Sequence, residues 1–344
     1  IGIELIDLYD FQGKPGMGTM LFNMNGSYPG RWCDDGNGNY TYGSIAPETK
    51  EVLRQLNELY NEGVLAKDLA SRDTDASIAE GNCGIFFGPW WVPGWPLNTT
   101  LNNDPEAVWK PLKILDENGQ YCTFSNNCSK GWAVVRKDYE HPEVAIKLMN
   151  LMLEVGTTNV SDGMSVTKEE MEKYNFIIPD DVKYYYLENG ISGIGWSDWP
   201  YTISFGFYDT MIRIGEYMNT RLTEYQAGNT GDMLDVEIDK MRHITDYESG
   251  ADTSPEAQIE YDKYEAVKLL MDLEDKLNFQ KVYYPFSTDT MDTNWASLKD
   301  KEEKAFMQII MGEQPVDYFD TFVAEWKAQG GDLITQEVNE AANK

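Results

Sequence analysis

The chain has 344 residues, with 28 Lys and Arg against 58 Asp and Glu, giving a formal net charge of −30. That charge repels phosphate backbones and anionic membrane surfaces, which disfavours nucleic acid and acidic lipid as partners and leaves sugars and cations open. The apolar share of 42% suffices for a buried core, and the length predicts two lobes or one large domain.

The 21 Tyr, 13 Phe and 10 Trp stand largely among Gly, Pro and polar residues rather than in periodic apolar runs. Such rings either fill a core or line a site for an amphipathic ligand, the ring face taking its apolar side and neighbouring polar groups its hydroxyls. The most apolar stretch, Gly84 to Trp95, is broken by Pro89, Pro93 and Gly94 and is far too short to span a bilayer. Ile1 follows no Met or basic leader, so the natural beginning is expected upstream. Cys33, Cys83, Cys122 and Cys128 lack metal-site spacing. Cys122 and Cys128 flank Asn126 and Asn127 and either close a small hairpin disulfide or stay free, and a Cys33–Cys83 pair is equally open. Asn-x-Ser/Thr triplets at Asn25, Asn39, Asn98, Asn127 and Asn159 matter only in a eukaryotic secretory protein.

In chain order, the apolar run Gly18 to Phe22 reads as strand and loop. Asp34 to Gly38 form a turn between Arg31-Trp32-Cys33 and Tyr40-Thr41-Tyr42, which predicts a hairpin. The turn has the Asp and Asn spacing of a calcium loop without the Glu at its twelfth position, so a plain turn is expected and no metal site. Pro47 opens a helix with Val52, Leu53, Leu56, Leu59 and Tyr60 on one face, stopped at Gly63. A short helix near Asp75 to Glu80 leads into Cys83 to Phe87, an unalternating run predicted as a strand covered on both faces.

Beyond that strand come Gly88-Pro89-Trp90-Trp91-Val92-Pro93-Gly94-Trp95-Pro96. Three tryptophans on a Pro-stiffened loop stand where open α/β sheets bind ligands, outside the strand ends. Lys110 to Leu115 is predicted as a strand, Asp116 to Gly119 as a turn, and Gly131 to Val135 as a strand. Pro142 opens a helix with Ala145, Leu148, Met149 and Met152 on one face, capped by His141. Residues 156 to 205 have weak periodicity and end in Gly195-Trp196-Ser197-Asp198-Trp199-Pro200-Tyr201, a second aromatic loop. Phe207, Met211, Ile214, Met218 and Leu222 mark a helix, residues 226 to 254 a surface excursion, and helices follow at 256 to 277, 299 to 311 and 316 to 328.

Catalytic signals are sparse. With His141 and His243 alone, a histidine-based triad or multi-histidine metal site is nearly excluded, and no P-loop or dinucleotide glycine cluster occurs. The many acidic residues leave a carboxylate pair for glycoside hydrolysis open without pointing to one.

Two stretches resemble the periplasmic-type solute-binding proteins of ABC importers, in the branch that contains the maltose-binding protein. One runs from Met20-Leu21-Phe22-Asn23 through Tyr28 and Asn37-Gly38-Asn39-Tyr40 to Ile78-Ala79-Glu80-Gly81-Asn82-Cys83-Gly84-Ile85-Phe86-Phe87-Gly88-Pro89-Trp90. The other is Met311-Gly312-Glu313-Gln314-Pro315 to Trp326, then Gly330-Gly331-Asp332-Leu333-Ile334, and it is similar to the lipid-anchored binding proteins of Gram-positive bacteria. The resemblance implies an α/β, two-lobe fold with the C-terminal lobe nearly complete and the N-terminal lobe largely missing. Residues 1–113 and 201–344 would then form the C-terminal lobe, and 114–200 an N-lobe remainder with crossing strands.

It further implies that Trp90 and Tyr28 stack on a sugar, with Phe207 or Tyr208 contributing and Trp199 and Tyr201 close by. Trp91 and the Trp196/Trp199 loop lie outside the matched motifs and, like Trp95, rest on the residues' own pattern alone. The function expected is a non-catalytic oligosaccharide-binding protein without cofactor. It would be monomeric, extracellular and anchored by a lipid on an upstream Cys, delivering its ligand to ABC permease subunits. A secreted glycoside hydrolase with an Asp/Glu pair is the alternative, and a peptide receptor or surface adhesin a third reading.

Overall fold

The computed structural model describes residues 3–4, 17–69, 73–124, 134–146, 211–231, 233 and 235–343. The chain is helix-rich α/β and divides into two compact units, 1–107 with 112–128 and 273–344, and 108–111 with 129–272.

The first unit begins with β1 (Ile3–Glu4) and α1 (Met17–Asn23). The run Gly18 to Phe22 is therefore helix and not strand. Thr19, Phe22 and Asn23 are buried at spacing i, i+3, i+4, a period that five residues of sequence are too few to reveal. The predicted hairpin is present as β2 (Trp32–Asp34) and β3 (Tyr40–Tyr42), with Trp32 opposite Tyr42. Its turn is closed by carboxylates: Asp34 accepts from the Gly36 N–H at 2.7 Å, and Asp35 from Asn37 and Asn39 at 2.8 and 3.1 Å.

α2 (Pro47–Asn61) buries Val52, Leu53 and Leu56 as the periodicity predicts, and α3 (Thr74–Ala79) follows. The strand expected over Cys83 to Phe87 shrinks to β4 (Ile85–Phe86), which pairs in parallel with β1. It is not covered on both faces, because Ile85 is 52% exposed. After α4 (Leu97–Asn103), residues 110–115 form no strand, and Leu112 projects into solvent. The Asp116 turn then delivers β5 (Tyr121–Phe124). Of the strand expected at Gly131 to Val135, residues 134 and 135 are irregular and the rest lies outside the described residues. Residues 143–146 are helical, the first N–H bonds including Val144 to the His141 carbonyl, and the rest of that expected helix lies outside the described residues.

The second unit holds α5 (Met211–Gln226), α6 (Asp235–Ser249) and α7 (Pro255–Met271), which pack on one another. α6 replaces the expected surface excursion: its buried Glu237, Met241 and Ile244 form an inward stripe hidden within an acidic composition. Met218 and Leu222 of α5 and Val267 of α7 complete this core. Glu237 accepts from the Tyr217 hydroxyl at 2.6 Å and faces the Arg221 guanidinium at 3.5 Å.

Returning to the first unit, β6 (Leu277–Gln280) pairs in parallel with β5, and β7 (Val282–Tyr283) extends the hairpin into the order β3-β2-β7. α8 (Asp289–Ile310) starts ten residues before the expected 299 because Thr288 caps it, its side chain accepting from Met291 N–H. α9 (Tyr318–Trp326) and a terminal α10 (Asp332–Ala342) close the fold. The kink between them explains the paired glycines: Gly330 has φ +115°, and a Cβ on Gly331 would lie 2.1 Å from the Trp326 ring.

Much of the aromatic content is core. Tyr42 stacks on Trp326 at 5.0 Å and meets Trp32 and Trp295, while Phe22, Phe306, Phe319 and Phe322 pack beneath α2 and α8. Each fully buried ring of this kind contributes about 1.5–3 kcal/mol relative to exposure.

Candidate functional site

The ten residues from Phe87 to Pro96 link β4 to α4, and Gly88 to Pro96 form the bend. Asp73 caps α3 by accepting from Ala76 N–H at 3.0 Å, and α3 buries Ser77, Ile78 and Ala79. α4 is pinned to α3 by the Thr100 hydroxyl on the Ile78 carbonyl at 2.8 Å and by the Asn103 amide on the Ala79 carbonyl at 3.3 Å. The α3–α4 pair thus anchors the C-terminal end of the bend, and β4, paired with β1, its N-terminal end.

The bend itself is a series of tight turns. Val92 N–H donates to the Pro89 carbonyl at 3.0 Å, Gly94 to Trp91 at 2.9 Å and Trp95 to Val92 at 3.1 Å. Gly88 is required by close approach, since a Cβ there would lie 2.6 Å from a Val92 methyl and 3.0 Å from the Phe86 ring. The Trp95–Pro96 peptide is cis. Pro93, Pro96 and Leu97 turn inward, whereas Trp91 is 42% and Trp95 50% exposed, with Trp90 half-buried. Apolar anchors are thus buried and the large rings presented, the reverse of what packing alone favours.

One polar group is built into this surface. The Trp95 indole N–H donates to an Asp75 carboxylate oxygen at 3.3 Å. Asp75 was not singled out from the sequence. Its signal was weak, an acid in the first turn of a short helix twenty residues upstream of its partner.

Of the other candidates, Tyr28 belongs to a different cluster of the same unit. It is 7% exposed, edge-on to Phe124 at 6.4 Å, with Val282, Cys33 and Tyr284 around it. Burial, then Cys122, Cys33 and Asp116, push its phenol far above the usual range. The Arg31 guanidinium lies 4.6 Å over the Phe124 ring. Cys33 and Cys122 are free thiols, and burial pushes Cys33 up to about 12. Trp196, Trp199, Tyr201, Phe207 and Tyr208 lie outside the described residues. Among the described residues no group of three or more His, Cys, Asp or Glu is placed to hold a metal ion, and no helix is long and apolar enough to cross a membrane.

No family model matches the chain. Among curated proteins it is similar to an uncharacterized protein in the butB 5′ region of Niallia circulans, 22% identical over 303 residues, which is 84% of this chain and 97% of that one. Among solved structures it is similar to the crystal structure of alginate-binding protein AlgQ2 without calcium ion, with a TM-score of 0.46 and 16% identity. All of this chain is covered in that match, and it spans 64% of the other chain's length.

Proposed function

We propose that this chain is the sugar-binding component of an importer: an extracellular, lipid-anchored, monomeric protein that captures an oligosaccharide and passes it to ABC permease subunits without transforming it. The observation that carries this reading is the bend from Gly88 to Pro96, a stiffened loop on a buried platform that holds Trp91 and Trp95 out to solvent and Trp90 half out. Pyranose rings present apolar C–H faces flanked by hydroxyls, and an indole face beside a polar acceptor matches both. Each stacked ring contributes about 1 kcal/mol beyond area burial. The Gly-Pro-Trp motif after a strand supports the same reading by resemblance, by which Phe207 or Tyr208 would contribute with Trp199 and Tyr201 close by; Trp196 rests on its loop's composition, and Tyr28, 7% exposed, packs on Phe124 instead.

Tryptophan fluorescence titration of the full chain with a broad oligosaccharide panel tests the proposal. Saturable quenching or enhancement is expected, with the sugar recovered intact by chromatography. Flat traces across the panel would sink it, and recovery of shortened sugars would turn the reading towards a glycoside hydrolase.

A further inference from the structure

We infer that the saccharide held by the tryptophan bend carries no carboxylate or sulfate: the site takes neutral or amino-bearing sugars and rejects polyanionic ones. The inference rests on the sugar-binding reading of the bend and adds to it the charge of the ligand.

Three observations carry it. A carboxylate, that of Asp75, stands against the exposed Trp95 ring edge at 3.3 Å from the indole nitrogen. From Asp73 through Trp109, the stretch that contains α3, the bend and α4, the acids are Asp73, Asp75, Glu80, Asp104 and Glu106, and the nearest cationic residues in sequence, Arg72 and Lys110, bound it on either side. Among the described residues none of these five acids forms an ion pair with a cationic side chain.

The chemistry follows from what each ligand needs. Uronate and sulfate groups are recognised by cationic donors, above all the planar fork of arginine, and none stands in this stretch. A stacked uronate would instead set its own carboxylate near Asp75 in a protein whose formal net charge is already −30. A hydroxyl or an ammonium group donates, and a carboxylate that already holds one indole N–H retains lone pairs to accept it. The Asp75 carboxylate that repels a uronate therefore accepts from a neutral or amino sugar.

The test uses the full chain and matched pairs of trisaccharides, each neutral trimer beside its uronic-acid counterpart, titrated by tryptophan fluorescence at low and high ionic strength. At low ionic strength the uronate is expected to bind at least about tenfold more weakly than its neutral partner, and added salt to narrow that gap by screening the repulsion. Asp75→Asn is expected to narrow it at low salt, since the amide oxygen still accepts from Trp95 while the charge is gone. If neutral trimers bind and uronates bind equally or more tightly at low salt, the charge inference falls and the sugar-binding reading stands. If no member of either series binds, both fall together.

Discussion

The Ser44 hydroxyl donates to the carboxylate of Glu302 across 2.6 Å, tying the turn after the β2–β3 hairpin to the middle of α8 inside the first unit. The Tyr42 hydroxyl donates to the other carboxylate oxygen at 3.0 Å, and Glu302 is fully enclosed.

Burial pushes the Glu302 carboxyl up to about 7, against the two hydroxyls that pull it down. Below its unfolded value of about 4.5 both states hold the proton and Glu302 adds no pH dependence to stability. Between about 4.5 and 7 the unfolded chain releases that proton while the folded chain keeps it, so stability falls as pH rises and levels off above 7. Glu302→Gln removes this slope. Urea denaturation of wild type and variant should show the variant gaining on wild type by up to about 3 kcal/mol between pH 5 and pH 8. Carboxylates with lowered values, such as Asp34 and Asp116, cancel in that comparison.

Exposed and buried rings should separate by mutation. Trp91→Ala and Trp95→Ala are expected to weaken oligosaccharide binding about tenfold or more while shifting stability by no more than about 0.5 kcal/mol. Tyr28→Ala removes a ring packed on Phe124 and is expected to destabilise by about 3–5 kcal/mol. Thermal melts beside fluorescence titrations check both, and a large stability loss in the Trp91 variant would place that ring in the core.

Gly88→Ala should distort the bend, because its new methyl meets Val92 and Phe86. Adding Val92→Ala removes the nearer obstruction. The double variant is therefore expected to recover at least half of the binding lost in Gly88→Ala, a non-additivity that a double-mutant cycle measures directly.

In the second unit, Glu237→Ala would leave the Tyr217 hydroxyl and the Arg221 guanidinium short of a buried acceptor. A loss of roughly 1–3 kcal/mol is expected, read as faster limited proteolysis between residues 211 and 272. Glu237→Gln, which keeps an acceptor, should lose less.

Where the sequence was read correctly, the signal was local. The α2 face, the turn at Asp34 to Gly38 and the α3 helix each rest on a side chain and a backbone within four residues of one another. Where it misled, the deciding contact was distant. Gly18 to Phe22 became helix as Phe22 stacks on Phe306 at 6.5 Å, and Lys110 to Leu115 formed no strand, with none pairing to it among the described residues. The 226–254 region concealed α6 because Glu237 spends its charge on Tyr217 and Arg221, neither near it in sequence.

The same division holds for the site. That three tryptophans share one proline-bound loop after a strand is a property of the chain alone, since nine consecutive residues cannot be far apart. Which of those rings face water, that Asp75 stands beside Trp95, and that Tyr28 packs against Phe124 were settled by tertiary packing. Burial is a competition among all side chains for a limited interior, and its outcome depends on neighbours that sequence order does not place together.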